Sequence, residues 1–295
     1  MTGIPQHIAF HVGAHKTATT HLQKCIKRAH EPLAAVGVRF CGPENFRLPG
    51  RTIQALFGFR ESRAAEGPKR PPQEQLALLA KGADRLVLSE ENFIGPLNSP
   101  KGVAMRQRYR PAGARLAQFA EKIGQPGDVF LAVRRPTAFL NSAYCQMLLG
   151  GQIRPPGIYL RRNPISSVDW ADLVTRIRQA PGVGRLVVWR HEDYQPLFRT
   201  ILTEMLGAEG AAIVPQLDRT FNAGLSATAV AEVLHRQAHE PIPNIANVAR
   251  SLLPVGDGYP PFDAFDPEAH QAGDRAYHAQ IAAIAGMDGV TLLRP

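Results

Sequence analysis

The chain has 295 residues, of which 44% are hydrophobic, so it is long and apolar enough to bury a substantial core. Its formal net charge is +9, and no apolar stretch approaches the roughly 18 residues that cross a membrane, nor is there a signal-peptide pattern. We therefore expect a cytoplasmic protein without integral membrane association. Cys25, Cys41 and Cys145 have no CxxC spacing, which argues against a disulfide framework or a structural zinc site.

Five short apolar runs predict the strands of one sheet. They are mostly unalternating and are separated by helix-length stretches, which is typical of buried parallel strands. We expect an α/β, three-layer sandwich in which helices flank a central, mostly parallel sheet of about five strands. The runs cover residues 8–12, 36–40, 86–88, 129–133 and 186–189.

Polar residues follow most of these runs, and ligands of parallel sheets bind beyond the carboxyl ends of the strands. The polar groups are His15-Lys16-Thr17, Ser89-Glu90-Glu91, Arg134-Arg135 and Arg190-His191-Glu192. Long Pro- and Gly-rich connections join the elements, and we expect them to lie outside the core and to form walls or lids of an acceptor site. These connections are residues 43–73, 95–113, 150–167 and 240–267, within a single domain spanning 1–295.

Residues 8–28 combine an apolar strand, a hydroxyl-rich loop and an amphipathic helix. The helix is predicted by apolar residues at i, i+3, i+4 and i+7, namely Leu22, Cys25, Ile26 and Ala29. The loop therefore lies at a helix N-terminus, where free N–H groups and the helix dipole favour an anion. Three threonine hydroxyls and the ammonium group of Lys16 add further donors, so the sequence predicts a phosphate-binding loop.

The loop does not have the Walker A pattern Gly-x4-Gly-Lys-Ser/Thr, because Phe10 and His15 occupy the two glycine positions. The sequence Lys16-Thr17-Ala18-Thr19-Thr20 instead resembles the Lys-Thr/Ser-Gly-Thr-Thr loop of the sulfotransferase family, which binds the 5′-phosphosulfate of PAPS (3′-phosphoadenosine-5′-phosphosulfate). Ala18 replaces the family's glycine, so we expect a negative φ there, since a left-handed backbone is costly for alanine. The resemblance implies these cofactor-binding residues: Gly13, Ala14, His15, Lys16, Thr17, Ala18, Thr19 and Thr20.

A second matching block covers residues 127–144, where an apolar strand leads into a helix with Pro136 in its first turn. In the sulfotransferase family this element carries an arginine and, eight residues later, a serine that hold the 3′-phosphate of PAPS. Arg134 and Ser142 stand at that spacing. An arginine can hold a phosphate through two parallel hydrogen bonds. Arg135 replaces the Asn or Asp common in the family.

Two further segments extend the resemblance. Residues 185–207 are similar to a family segment in which a strand ends in a basic-acidic cluster before a Leu-rich helix, and residues 219–226 resemble an Asn-x-Ser/Gly-Leu-Ser stretch of bacterial members. The resemblance to PAPS-dependent sulfotransferases implies a P-loop-NTPase-like fold, PAPS as donor, PAP (adenosine 3′,5′-bisphosphate) as product and no metal. It implies direct transfer to an acceptor hydroxyl or amine, with a glycan or glycolipid hydroxyl mildly preferred to a small alcohol or secondary metabolite.

Sulfuryl transfer needs a base for the acceptor proton and a cation at the leaving oxygen. Lys16 is the predicted leaving-group partner. Ser89-Glu90-Glu91 resembles the Ser-x-Glu that ends the third strand in bacterial family members, which makes Glu91 the first candidate for the base and Glu90 the second. Side chains of adjacent residues on an extended backbone point to opposite sides, so we expect one carboxylate to face the cavity. His15 and Glu44 are further candidates, because other family branches use a histidine or a glutamate after the second strand.

Two other functions stay open. A kinase-like phosphoryl transferase using ATP is disfavoured by the missing Walker A glycines and by the Arg134/Ser142 pair. A non-catalytic nucleotide or polyanion binder is compatible with the net charge, and two basic clusters could either steer an anion or form solvated surface. The clusters are Lys101, Arg106, Arg108 and Arg110, and Arg154, Arg161 and Arg162. Nucleic-acid binding is not expected, since no helix-turn-helix, zinc-finger or aromatic-interleaved pattern occurs.

Overall fold

The computed structural model describes residues 3–59, 70–98, 104–218, 224–239, 242–256 and 258–295. Its centre is a sheet of six strands, all parallel, in the order β2-β3-β1-β4-β5-β6. The strands are β1 His7–Gly13, β2 Val38–Cys41, β3 Arg85–Ser89, β4 Gly127–Val133, β5 Val183–Arg190 and β6 Val290–Leu292. The predicted α/β sandwich is confirmed. The sheet has one strand more than expected, because β6 is a three-residue edge strand that leaves no periodic signal.

Helices pack on both faces of this sheet. The helices of the described residues are α1 Thr19–Arg28, α2 His30–Ala35, α3 Pro43–Phe46, α4 Ile53–Leu56, α5 Pro72–Ala80, α6 Ala112–Ile123, α7 Pro136–Leu149, α8 Pro156–Arg162, α9 Trp170–Arg178, α10 Tyr194–Ile213, α11 Ala227–His239, α12 Ile245–Leu252 and α13 Pro267–Ala285. Helix α10 is interrupted at Gly207, whose φ is 81°.

Alternate residues of the central strands face two separate cores. Ile8 and Phe10 of β1 belong to the core on the face covered by α5, α6, α7 and α9. Ala9 of β1 and Phe130 of β4 belong to the opposite core, which α1 and α10 cover. Because both faces of the strands are covered, apolar residues run continuously along them, and this is the pattern that made the strands recognisable.

The chain order of the strands reverses around β1. After β1 the chain forms β2 and β3 on one side, and it then crosses to form β4 on the other side of β1. In parallel α/β sheets such a reversal opens a crevice at the carboxyl ends of the strands, where ligands bind. The loop after β1 and the turn after β4 are therefore neighbours across this crevice.

The long connections differ in part from the expectation that they lie outside the core. The 43–73 connection contains α3 and α4, and Phe46, Ile53 and Phe57 within it are at most 1% exposed, because the helical turns direct these apolar side chains inward. Arg108 of the first basic cluster is also buried, and it donates to the Leu97 carbonyl oxygen at 2.9 Å. Lys101, residues 219–223, and parts of the 43–73, 95–113 and 240–267 connections lie outside the described residues.

The three cysteines are buried and free. No helix within the described ranges is long and apolar enough to span a membrane.

Candidate active site

A cavity of about 1660 Å³ opens at the carboxyl edge of the sheet. Its walls come from the loop after β1, the turn after β3, the helix α7, the turn after β5 and the helix α12. Ligand pockets typically measure about 300–1,000 Å³, so this cavity has room for a nucleotide and a second molecule together.

The loop between β1 and α1 has free donors at the N-terminus of α1. Among the described residues, no acceptor bonds the backbone N–H groups of Lys16, Thr17 and Ala18. The hydroxyl groups of Thr17 and Thr19 both donate to the Ala14 carbonyl oxygen, at 2.7 and 3.1 Å. These hydroxyls therefore fix the shape of the loop, and the backbone supplies the unpaired donors.

Not all of the predicted loop residues reach the cavity. The cavity lining includes His15, Lys16, Ala18, Thr19 and Thr20. Gly13, Ala14 and Thr17 are absent from this lining and lie behind the loop, where the Ala14 N–H donates to the Ala132 carbonyl oxygen at 3.0 Å. Their assignment as cofactor-binding residues stays a prediction.

The expected negative φ at Ala18 is wrong. Ala18 has φ 65° and ψ 14°, which is the left-handed conformation, and Lys16 is left-handed too, with φ 62°. Ala18 is the N-cap of α1, and its carbonyl oxygen accepts the first helical bonds, from His21 and Leu22. The turn into the helix therefore sets the backbone, and the methyl group of Ala18 makes this conformation costly where the family carries glycine.

Arg134 joins the two predicted phosphate-binding elements. Its Nη1 donates to the Lys16 carbonyl oxygen at 2.7 Å, and its own carbonyl oxygen accepts from Trp170 Nε1 at 2.7 Å. The Nε atom of Arg134 is buried and has no partner among the described residues. Burial lowers the pKa of Arg134, and the negative charge of Glu192 offsets part of this shift. Arg134 and Ser142 both line the cavity, as their spacing predicted.

The side chain of Lys16 lies beside the same helix. Its Nζ donates to Gln146 Oε1 at 3.3 Å, one helical turn beyond Ser142 on α7. Burial lowers the pKa of Lys16, and the charges of Arg134 and Arg250 lower it further. Glu91 opposes this shift. An anionic ligand would stabilise a partly buried cation that has other cations nearby, so this part of the cavity favours one.

The two candidate carboxylates, Glu90 and Glu91, share one arginine. Arg47 donates from Nε and Nη2 to Glu90 at 2.9 and 3.0 Å, and its Nη2 also lies 2.7 Å from Glu91 Oε1. Glu90 accepts from the Asn92 N–H at 2.9 Å and is absent from the cavity lining, whereas Glu91 lines the cavity. Burial alone would raise the pKa of Glu91, but His15 and Arg47 lower it below the usual value.

The position of Glu91 depends on Gly13. Gly13 has φ 101°, and a Cβ atom added to it would lie 2.8 Å from the Cβ of Glu91. On the other side of Glu91, Gln23 Nε2 lies 3.5 Å from its Oε2 and also donates to Ser89 Oγ at 3.0 Å. Glycine at position 13 thus permits the close approach of the turn after β3 to the loop after β1.

His15 and Glu44 are less suited to act as the base. Both ring nitrogens of His15 have partners, since Nδ1 lies 3.1 Å from the Tyr109 hydroxyl and Nε2 lies 3.1 Å from Asn92 Oδ1. Burial lowers the pKa of His15, although Glu91 opposes the shift. Glu44 pairs with Lys27 at 3.2 Å on the surface and does not line the cavity.

Sequence reasoning missed several cavity residues. Arg47 and Arg250 come from the irregular connections, whose conformations have no periodic signal. His191 follows β5, where the sequence indicated a polar strand end without a role, and its Nδ1 is buried without a partner among the described residues. Gln146 could have been found, because it follows Ser142 by four residues on a predicted helix.

No protein-family model matches this chain, and no curated protein matches its sequence. Its structure is similar to that of a sulfotransferase from Alicyclobacillus acidocaldarius, with a TM-score of 0.41 and 13% identity, over 84% of this chain and 96% of that one. It is also similar to retinol dehydratase in complex with androsterone and the inactive cofactor PAP, with a TM-score of 0.36 and 11% identity, over 100% of this chain and 84% of that one.

Proposed function

We propose that the chain is a PAPS-dependent sulfotransferase that moves a sulfuryl group directly to an acceptor hydroxyl or amine. The hydrogen bond between Arg134 and the Lys16 carbonyl oxygen carries this proposal. It brings together two phosphate-handling elements that are 118 residues apart in the chain, and both residues line the same cavity with Ser142.

The residues of this cavity suit a donor with two separated phosphate positions. The free N–H groups of the loop and the Lys16 ammonium group offer donors for the 5′-phosphosulfate. Arg134 and Ser142, which both line the cavity, offer donors for the 3′-phosphate. Neither Lys16 nor Arg134 forms an ion pair with a carboxylate of the described residues. PAPS, when bound, supplies the sulfuryl group and leaves as PAP.

The remaining side chains suit the proton and charge movements of the reaction. Glu91 accepts the proton of the acceptor hydroxyl or amine, and Arg47 and Gln23 hold its carboxylate in place. Lys16 donates to the phosphate oxygen that gains charge as its bond to sulfur breaks, and Gln146 orients the ammonium group. A glycan or glycolipid hydroxyl is the mildly preferred acceptor, from the resemblance of the motifs.

The test is calorimetric binding of PAP, AMP and ATP to the wild type and to Lys16→Ala, Arg134→Ala and Ser142→Ala. We expect PAP to bind about 10- to 100-fold more tightly than AMP, because a charge-assisted hydrogen bond contributes about 1.5–3 kcal/mol. The ratio of PAP to AMP affinity should collapse in Arg134→Ala, and it should fall less in Ser142→Ala. In Lys16→Ala both affinities should fall together, with the ratio kept.

Other outcomes support the alternatives. Equal affinity for the three nucleotides, or a preference for ATP with magnesium, contradicts the proposal and favours a phosphoryl transferase. Tight PAP binding without PAP release from PAPS in any acceptor mixture favours a non-catalytic nucleotide binder.

A further inference from the structure

Arg250 is a third cavity cation without a carboxylate partner. Among the described residues, five lysine and arginine side chains line the cavity, namely Lys16, Arg47, Arg134, Arg135 and Arg250. Arg47 is paired with Glu90 and Glu91, and Arg135 lies 3.8 Å from Asp274. Within the described part of the chain, Lys16, Arg134 and Arg250 form no ion pair. Only the first two are needed by the phosphate positions of the proposed donor.

The position of Arg250 separates it from the predicted 3′-phosphate residues. Its Nη2 donates to Asn247 Oδ1 at 3.0 Å, and Asn247 Nδ2 donates to the Leu149 carbonyl oxygen at 3.3 Å. Leu149 lies two turns beyond Ser142 on α7. Helix α12 is therefore anchored at the C-terminal end of α7, about two turns beyond Ser142.

The surroundings of Arg250 are cationic and amidic. Its charge reaches Lys16, whose pKa it lowers. Its hydrogen-bond partner Asn247 is a neutral amide, which does not compensate the charge. Two like charges on one cavity wall repel each other, and an anion between or beside them removes this cost.

We infer that Arg250, held in place by Asn247, forms an acceptor subsite for an anionic group, so that the acceptor is an alcohol bearing a carboxylate or phosphate, as in an acidic sugar. This inference rests on the proposed function. The guanidinium group binds the anion, Asn247 orients the guanidinium group, and the Gln146 Nε2 group can donate to a neighbouring hydroxyl group. A neutral acceptor would form no ion pair with Arg250.

The experiment measures PAP release from PAPS with matched pairs of acceptors. The pairs are methyl glucoside and methyl glucuronide, glucose and glucose 6-phosphate, and 4-nitrobenzyl alcohol and 4-(hydroxymethyl)benzoate. We expect the anionic member to have the higher kcat/KM in at least one pair, by tenfold or more. Arg250→Gln should abolish that preference through KM, and Arg250→Lys should restore part of it. PAP affinity should stay within about twofold of wild type in both variants. The melting temperature should be unchanged.

Arg275→Gln, an exposed substitution on α13 away from the cavity, is the matched control and should change nothing. The inference is overturned if the neutral members are used as well as or better than the anionic ones, if no anionic member is used, or if Arg250→Gln weakens PAP binding tenfold. In the last case Arg250 serves the donor. Failure of the proposed function is seen separately, as loss of the PAP preference in the wild type.

Discussion

The two sides of Gly13 carry opposite charge arrangements. On one side, Arg47 is balanced by the carboxylates of Glu90 and Glu91, which lie within 3.0 Å of it. On the other side, Lys16 and Arg134 line the cavity, and among the described residues their side chains have only amide and carbonyl partners. The unbalanced side is therefore prepared for an anion, and the balanced side can hold a carboxylate that takes up a proton.

The pKa directions follow the same division. Burial lowers the pKa of Lys16 and of Arg134, because no anion nearby compensates it sufficiently. Burial also acts on Arg47, but Glu90 and Glu91 more than offset it and raise the pKa of Arg47. Of these three cations, Arg47 is stabilised by carboxylates of the protein, whereas Lys16 and Arg134 would be stabilised by an anionic ligand.

The largest effect is expected when the two adjacent carboxylates are changed separately. Glu91→Gln removes the proposed base, so turnover should fall about 10²- to 10⁴-fold, the usual contribution of general base catalysis. Glu90→Gln should instead cost about 2 kcal/mol of stability, as a charged hydrogen bond to Arg47 is lost, and keep most of the activity. Steady-state kinetics and thermal denaturation of both variants measure the contrast. Equal loss of turnover in the two variants would contradict the assignment of Glu91.

Removing the ammonium group of Lys16 is expected to have the next largest effect. Lys16→Met should lower kcat about 10²- to 10³-fold, because a preorganised donor at the developing charge is lost. Lys27→Met, at the opposite end of α1, loses only the exposed ion pair with Glu44 and should retain activity. A kcat for Lys16→Met within tenfold of wild type would remove Lys16 from the leaving-group role.

The pH dependence of turnover should respond to Arg47. Glu91 must be ionised to act as the base, so activity is lost as the pH falls through its pKa, which His15 and Arg47 lower. In the double variant Arg47→Gln/Glu90→Gln, the cation is removed without leaving Glu90 as an unpaired buried charge. The pKa of Glu91 should rise, and the acid limb of the kcat/KM profile should move to higher pH.

Glu90→Gln alone should not move the acid limb of the kcat/KM profile to higher pH. Arg47 then has one carboxylate in place of two, so the acid limb should stay where it is or move to lower pH. An unmoved acid limb in the double variant would show that the limb reports another group.

The sequence predicted the parts of the site that lie at strand ends. Lys16 and Arg134 follow apolar runs closely, and the parallel sheet brings the ends of such runs to one edge. Glu91 also follows a strand, but the resemblance of Ser89-Glu90-Glu91 to a family motif made it the first candidate for the base, and that role stays a prediction. The sequence predicted that one of the two adjacent carboxylates, Glu90 or Glu91, faces the cavity. In the structure it is Glu91, which lies beside Gly13.

Arg47 and Arg250 were not predictable in this way. Both lie in connections with short helices, where position depends on packing of side chains far apart in the chain. Asn247 places α12 by bonding the Leu149 carbonyl oxygen 98 residues earlier, and no local pattern signals such a contact. The conformation of Ala18 was also predicted wrongly, because tertiary placement of the α1 N-terminus outweighed the local preference of alanine.

The smallest expected effect concerns this alanine. A left-handed backbone costs a residue with a Cβ about 1–2 kcal/mol, and glycine avoids this cost. Glycine also makes the unfolded chain more flexible, which destabilises the folded state by about 0.5–1 kcal/mol and offsets part of the gain. Ala18→Gly should therefore stabilise the protein by up to about 1 kcal/mol and raise the melting temperature by about 2 °C. Ala34→Gly, at an exposed helical position in α2, should lower it. PAP affinity should be unchanged in Ala18→Gly, because the backbone of the loop already has the left-handed conformation that glycine adopts readily. A loss of affinity would mean that the methyl group of Ala18 itself packs on the nucleotide.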